Sequence, residues 1–475
     1  MCSASSCRLG NWPVSPSSLH FVGIAGAGMS SLARFALQRG LQVSGSDCGN
    51  SAEKKELRTA GARVFDEHDA SQIDGADTVV ISSAIPAHNV EWQAALRSGT
   101  RVLKRGELLA EWLNAHPGGI AVCGTHGKGS SASLLIDMLR AAGHRVSFVL
   151  GARRRDAFGD AHYEEDAAFF VAEVDESDRT HLAHRPRHLL LTNIEVDHLS
   201  TYACADAIIE AFEGLALAFE ARRREDGLGH FVLGSYSPES DELERRLRGH
   251  CSWRSCSTQR AAYYHGELEG AEIVLHRGGE RVGAFSHPLW GELHARNVVA
   301  AAAMAMELGV GAAAVAAGLA EHRGLRDRFE LLRREPLIVT DYSSHPTCFS
   351  ANLQELRQHL PEAGRLHAVF HPYRYSLLHH FWGAYIEALS LADAVYLLPM
   401  DGAGEPPLPG IGGSELAAAL RERGLSLCEV SQLDELHRLL ASQLSASDAL
   451  IVFGGGPLFE LARSLAAHFG VRVAR

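Results

Sequence analysis

Behind the apolar run Ile120–Cys123 stands Gly124-Thr125-His126-Gly127-Lys128-Gly129-Ser130-Ser131, and a helix-like stretch, Ala132–Ala142, follows it. A glycine turn between a strand and a helix aims backbone N–H groups and the helix N-terminus at phosphate oxygens, while Lys128 supplies a point charge for the β- and γ-phosphates. The bland alternative is a glycine turn with a surface lysine; the strand–turn–helix setting favours phosphate. In such loops the residue after the lysine is a Ser or Thr that ligates Mg²⁺. Here that place holds Gly129, which leaves Ser130 as the substitute.

A second glycine loop, Gly23-Ile24-Ala25-Gly26-Ala27-Gly28, closes a strand-like run at His20–Ile24 and opens a helical stretch at Met29–Arg39. Ser46-Asp47 comes about 20 residues later, where an acidic residue can meet a ribose. The second glycine of that fingerprint is Ala25. The pattern fits a nucleotide pocket and equally a plain strand-to-helix turn.

Two acidic clusters end strand-like runs, Glu173-Val174-Asp175-Glu176-Ser177-Asp178 and Asn193-Ile194-Glu195-Val196-Asp197-His198. Mg²⁺ takes oxygen donors, normally one or two carboxylates with phosphates and water. Ser130, Glu173 and His198 are therefore the expected metal residues, with His198 either a ligand or a partner behind one. Asp175 and Asp178 read as solvated acids at a helix start.

These residues need strands and helices to hold them, and the chain supplies both in alternation. Its 475 residues imply about three domains. Short apolar runs at Leu41–Gly45, Thr78–Ser82, Ala168–Glu173 and Leu189–Thr192 alternate with helical stretches such as Arg105–Ala115. That rhythm predicts parallel sheets. Four more strands are expected at Leu337–Thr340, Leu366–Phe370, Ala394–Leu398 and Ala449–Phe453, a helix at Val298–Leu308, and short β structure and loops between Glu225 and Gly291. The expected fold is three successive α/β domains: residues 19–116 Rossmann-like, 117–323 built on the phosphate loop, and 324–475 Rossmann-like, after an extension at 1–18.

A net charge of −12 argues against a nucleic-acid surface, so an anionic substrate has to be held by local features. Nine scattered cysteines without a C-x-x-C pair argue against a disulfide scaffold and fit a reducing, cytoplasmic setting. No apolar run reaches the roughly 20 residues that cross a membrane.

Taken in order, Val22–Ser31, Ser46-Asp47, Val80–Ile85, Gly124–Ser131, Ala172–Asp178, Thr192–Tyr202, Asp327–Glu330, Asp341–Thr347 and Phe370–Tyr375 resemble the Mur ligases, from about residue 19 onward. The most specific parts are the two acidic clusters and Asp341-Tyr342-x-x-His345-Pro346-Thr347. Within the family the resemblance is greatest to the branch that joins L-alanine to UDP-N-acetylmuramate. It implies an ATP- and Mg²⁺-dependent amide ligase acting through an acyl phosphate, a monomer or homodimer that takes a sugar nucleotide, ATP and an amino acid on its three domains. For catalysis it implies Lys128, Glu173, His198 and Arg328. Around ATP it implies Gly124, Thr125, His126, Gly127, Lys128, Ser130, Ser131, Asn193, Asn297, Arg328 and Asp341. Around the sugar nucleotide it implies Gly23, Ala25, Gly26, Ala27, Gly28, Met29, Ser30, Ser46, Asp47, Ser82, Ser83, Ala84 and His126, and around the amino acid His345, Tyr373 and Arg374.

The chain departs from the family pattern at several places. Gly129 follows the lysine, Leu293 and His294 stand where the family has His and Asn, and Ser343, Ser344 and Cys348 alter the Asp341–Thr347 segment. Tyr373 and Leu377 replace a histidine and an arginine that help to hold the amino acid. Two further outcomes follow from these changes: a weakened homologue that binds sugar nucleotide or partners an active ligase, or a ligase for another amino acid or a peptide.

Overall fold

The computed structural model describes residues 17–49, 51–286 and 291–470. The expected extension at 1–18 lies outside the described residues up to 16; Ser17 already donates to Asp77 Oδ2 at 2.9 Å, and Ser18 opens the first strand. Three sheets follow along the chain, of five, ten and six strands.

The first sheet is parallel throughout, in the order Arg63–Phe65, Gln42–Ser46, Ser18–Val22, Thr78–Ile81, Arg101–Lys104. Strand order reverses beside Ser18–Val22, and the first glycine loop leaves that strand's C-terminal end. Such a switch point opens a crevice in a doubly wound sheet.

In the second sheet Gly119–Cys123 lies between Phe169–Glu173 and His188–Leu191, all parallel. Gly119–Cys123 is buried at every residue, as a central parallel strand covered on both faces must be. Beyond Phe231–Gly234 and Arg254–Ser257 the sheet continues into antiparallel strands, Tyr264–Glu269, Glu272–Arg277 and Glu280–Ser286.

The third sheet has six strands where four were expected. Leu337–Asp341, Ala449–Phe453, Leu366–Phe370 and Ala394–Leu397 form its middle, and alternate residues feed two cores, Val339 and Ile451 on one face, Ile338 and Val452 on the other. The two extra strands are its edges, Glu330–Arg334 and Ser426–Glu429. Both carry polar or charged residues at their ends, Glu330, Arg333 and Arg334 in one and Ser426 and Glu429 in the other, so they lack the continuous apolar run that marks a buried strand.

Three expected elements are corrected. The helix after the phosphate loop starts at Lys128 rather than Ala132, with Gly127 in the left-handed conformation just before it. The helix expected from Val298 begins at Glu292, which puts Leu293, His294 and Asn297 in its first turns. Within the stretch read as β structure and loops, Pro238–Leu247 is a helix. Its Ser237 cap accepts from Ser240 N, Pro238 opens it, and Leu243 and Leu247 anchor it.

By contacts the chain falls into two compact units. The first holds Met1–Val196, Cys204–Pro288 and Ala295–Arg323, and so the first two sheets; the second holds Asp197–Ala203, Leu289–His294 and Gly324–Arg475. Among the described residues no helix is long and apolar enough to cross a membrane.

Candidate functional site

The phosphate loop is shaped by two glycines. Gly124 has φ +128°, and a Cβ there would lie 2.3 Å from Thr192 Oγ1; Gly127 has φ +73°, and a Cβ there would lie 2.0 Å from Asn297 Oδ1. No other residue fits such a turn at such close approach. The chain end of the neighbouring strand then clamps the loop. Thr192 Oγ1 donates to His126 O at 2.6 Å, Asn193 Oδ1 accepts from His126 N at 2.9 Å, and Asn193 Nδ2 donates to His126 O at 2.8 Å. Thr125 Oγ1 donates to Glu195 O at 3.1 Å and accepts from Glu195 N at 2.9 Å. Ser131 Oγ donates to Asn297 Oδ1 at 3.3 Å. Ser130 and Gly129 sit in the first helical turn, where N–H groups have no intrahelical acceptor.

Lys128 folds back over its own loop. Its Nζ donates to Gly124 O at 2.7 Å and lies 2.9 Å from Glu176 Oε2, a carboxylate with no solvent exposure. Burial pushes the ammonium's pKa down, but the carboxylates of Glu176, Asp175 and Glu173 outweigh it and hold the pKa above the ordinary lysine value. Glu176 is a residue the sequence reading passed over. The signal was available: a lysine enclosed by a glycine loop needs an anionic partner, and Glu176 stands in the nearest acidic cluster.

Glu173 turns one oxygen to the backbone, accepting from Gly151 N at 2.7 Å. Asp175, expected to be a solvated acid, is instead paired with Arg105, Nη2 to Oδ2 at 2.9 Å. Asp178 caps the turn ahead of it, accepting from Thr180 N at 3.0 Å. His198 belongs to the second compact unit, with φ +52° and its N–H donating to Asp197 Oδ1 at 2.6 Å.

The first glycine loop opens the helix Ala27–Gln38, with Gly26 as its cap. Asp47 Oδ2 accepts from Ala25 N at 3.1 Å and its Oδ1 from Gly49 N at 2.9 Å, so this acid fastens the loop. Ser82, Ser83 and Ala84 follow the adjacent strand; a Cβ on Gly23 would lie 3.1 Å from Ser82 Cβ, while Ser83 and Ala84 are exposed. Met29 and Ser30 are buried in the first helical turns. Ser46 is a correction. It was expected to face the nucleotide, but its hydroxyl is fully buried and donates to Glu91 Oε2 at 2.5 Å, beside His68 Nδ1 at 2.9 Å. The serine's hydroxyl is turned into the sheet's interior; its carbonyl accepts from Gly23 N at 2.9 Å and Ile24 N at 3.1 Å, while Asp47 reaches the loop with its carboxylate.

In the second unit Arg328 is bracketed by two strained residues, Asp327 at φ +57° and Phe329 at φ +47°. Such backbone persists where surrounding bonds over-determine it. Asp341 Oδ2 accepts from Phe329 N at 2.7 Å, and Arg463 Nη2 donates to Asp327 Oδ1 at 2.7 Å. The Arg328 guanidinium lies 4.9 Å from the centre of the Tyr342 ring. Burial pushes the Asp341 carboxyl up from its ordinary value, against the pull of Ser343 and Arg328. His345 caps the helix Pro346–Gln358, its Nδ1 accepting from Thr347 N at 3.3 Å. Arg374 also has positive φ, at +61°, and its Nη1 stands 3.9 Å from Glu405 Oε1. Tyr373 beside it is exposed, and Leu377 is buried.

Comparison with known proteins places this geometry. Residues 18–117 match the description "Mur ligase family, catalytic domain", 122–305 "Mur ligase middle domain", and 327–456 "Mur ligase, glutamate ligase domain". The chain is 35% identical over 447 residues to a UDP-N-acetylmuramate--L-alanine ligase of Renibacterium salmoninarum, covering 93% of this chain and 94% of that one. To the protein of the same name in Rubrobacter xylanophilus it is 33% identical, covering 95% and 99%. In fold it is similar to a UDP-N-acetylmuramate-alanine ligase of Thermotoga maritima, with TM-score 0.78, 22% identity and 95% and 99% coverage. A murein peptide ligase of Psychrobacter arcticus follows at TM-score 0.68, 20% identity and 97% and 100% coverage.

Proposed function

The chain belongs to the Mur ligase family, and from that premise we propose that it is an ATP-dependent ligase joining L-alanine to UDP-N-acetylmuramate, in peptidoglycan precursor synthesis in the cytoplasm. The observation that carries this reading is the phosphate loop. Thr192, Asn193 and Asn297 lock Gly124–Ser131 in place, and Lys128 is held over the loop by the buried Glu176.

The reaction asks little covalent chemistry of the protein. The sugar's carboxylate takes the γ-phosphoryl group of ATP, giving an acyl phosphate and ADP. The amine of alanine then attacks the acyl carbon, the amide forms, and phosphate leaves as the amine loses a proton. Catalysis of such steps is mostly positioning and charge stabilisation. Lys128 turns from Glu176 to the β/γ-phosphates, and the N–H groups of the loop hold their oxygens. Residues 19–116 take the sugar nucleotide on Gly23–Ser30, Asp47 and Ser82–Ala84; residues 117–323 take ATP; residues 324–475 take the amino acid, with Arg374 forming a forked pair with its carboxylate. Arg328 and Asp341, expected on the ATP side, stand in the second unit.

Ser130 and Glu173 are oxygen donors of the kind Mg²⁺ selects, and Glu173 spends one oxygen on Gly151 N and keeps the other, so the residues fit that ion. An ion held by Ser130 and Glu173 would supply charge neutralisation at the transferring phosphoryl group; His198, the third residue expected at the metal, stands in the second compact unit.

A second reading concerns the nucleophile only. Leu377 is buried where the family has an arginine, so this pocket has one cation fewer and suits an amino acid other than alanine, or a peptide. Phosphate release from ATP, measured with UDP-N-acetylmuramate and each amino acid in turn, tests both. The proposal expects release with alanine and none without the sugar nucleotide; release with a different amino acid alone selects the second reading.

A further inference from the structure

None of the residues nominated at the first glycine loop carries a positive charge, and the chain as a whole has a net charge of −12. A diphosphate seated there needs a local cation. Arg105 stands at the place. It is the first residue of the helix Arg105–Ala115, and its side chain is 16% exposed. A Cβ built on Gly28 would lie 2.9 Å from both its Cδ and its Nη1, so the guanidinium rests on the opening turn of the helix Ala27–Gln38.

Its position is set by the neighbouring domain of the same compact unit. A Cβ on Gly106 would lie 1.9 Å from Thr180 Oγ1, so this corner of the chain is pressed against the segment that follows Glu173. From that segment Asp175 Oδ2 meets Nη2 at 2.9 Å, and Asp175 is itself held by Ser177, whose N and Oγ both donate to it at 3.0 Å. The pair is only partly enclosed, with Asp175 35% exposed. A guanidinium offers five donors in a planar fork and matches phosphate in a bidentate way, which a carboxylate bound through one nitrogen does not use up.

We propose that Arg105 binds the diphosphate of the sugar nucleotide, and that Asp175 is the internal anion that occupies Arg105 until the nucleotide displaces it. This rests on the reading that the first glycine loop takes the sugar nucleotide. The exchange has a consequence for the ATP side, because Asp175 adjoins Glu176, the partner of Lys128. Filling the sugar-nucleotide site releases a carboxylate next to the phosphate-loop lysine, and the two sites are thereby coupled, with equal strength in both directions.

The test is calorimetric titration of the full chain with UDP-N-acetylmuramate, UDP and uridine, using wild type, Arg105→Ala, Arg105→Lys and Asp175→Asn. Arg105→Ala is expected to weaken both phosphate-bearing ligands at least tenfold and to leave uridine unchanged. Arg105→Lys is expected to recover part of the loss. Asp175→Asn is expected to tighten the phosphate-bearing ligands severalfold, since the competing anion is gone. A purely structural ion pair gives the opposite pattern for that last variant: looser binding together with a lower melting temperature, in parallel with Arg105→Ala. Equal affinity in wild type and Arg105→Ala, or weakened binding in Asp175→Asn, overturns the proposal while leaving the ligase reading in place. Wild type that binds neither UDP-N-acetylmuramate nor UDP overturns both.

Discussion

Lys128 Nζ lies 2.9 Å from Glu176 Oε2, and the carboxylate it faces is wholly out of solvent. The lysine that has to meet ATP is thus neutralised by the protein's own side chain and by the carbonyls of Gly124 and Thr125. Charge is stored at the loop without being left unpaired in a low-dielectric place.

Removing one partner exposes that arrangement. Lys128→Met is expected to abolish phosphate release and to lower unfolding stability by about 3–5 kcal/mol, because Glu176 is left charged and buried. Lys128→Met combined with Glu176→Leu is expected to regain most of the stability and none of the activity. Urea unfolding and a phosphate-release assay separate the two effects; a stable, active Lys128→Met would remove the lysine from the account.

Gly127 and Gly129 make opposite predictions. Gly127 holds φ +73° with Asn297 Oδ1 within 2.0 Å of where a Cβ would be, so Gly127→Ala should disrupt the loop and ATP turnover. Gly129 is the second residue of a helix, where a side chain adopts the backbone without strain. Gly129→Ser is therefore expected to fold normally and to lower the Mg²⁺ concentration at half-maximal rate severalfold, by restoring a hydroxyl after the lysine. Unchanged Mg²⁺ dependence in a folded variant would show that Ser130 already meets that need.

Asn193 exchanges two hydrogen bonds with the backbone of His126. Asn193→Ala is expected to raise KM for ATP about tenfold or more while leaving UDP-N-acetylmuramate affinity within twofold, since each buried bond left open costs about 1–3 kcal/mol. Parallel losses on both substrates would mean that the variant loosens the whole unit instead.

The elements that place these residues were largely legible, because buried parallel strands such as Gly119–Cys123 and Ala449–Phe453 are written as apolar runs. The edge strands Glu330–Arg334 and Ser426–Glu429 were not, being half-polar. The two glycine loops were found by spacing, and the acidic cluster that holds Glu176 was visible as well, whereas Arg105 needed coordinates. Arg105 reaches Asp175 across 70 residues of chain, and no local pattern marks such a partner. Ser46 shows the converse error, since adjacency to Asp47 in sequence put it on the wrong face of its strand.

Three buried histidines predict the response to acid. Burial pushes His116 and His184 down to about 4, and burial with the neighbouring His230, Arg187 and Arg222 pushes His188 down to about 3. His116 Nδ1 accepts from Gly118 N at 3.0 Å, as a neutral ring must. Below about pH 6.5 the unfolded chain takes up a proton at each site and the folded chain does not. Their stabilisation is therefore present above pH 6.5 and lost as pH falls toward 4, at about 1.4 kcal/mol per pH unit for each fully uncharged ring. Urea unfolding at pH 7.5, 6 and 5 should show the decline, and His188→Gln should flatten it by about one proton. Stability that stays level from pH 7.5 to 5 would contradict the neutral buried rings.

The central claim is that this chain activates the sugar's carboxylate with ATP and passes it to alanine. The most direct measurement uses UDP-N-acetylmuramate labelled with ¹⁸O in the carboxylate, incubated with ATP, Mg²⁺, L-alanine and the full chain, with both products read by mass spectrometry. The predicted result is an alanylated sugar nucleotide formed one for one with phosphate that carries a single ¹⁸O atom from the carboxylate. Phosphate without ¹⁸O, or ATP cleavage with no amide product from any amino acid, would contradict it.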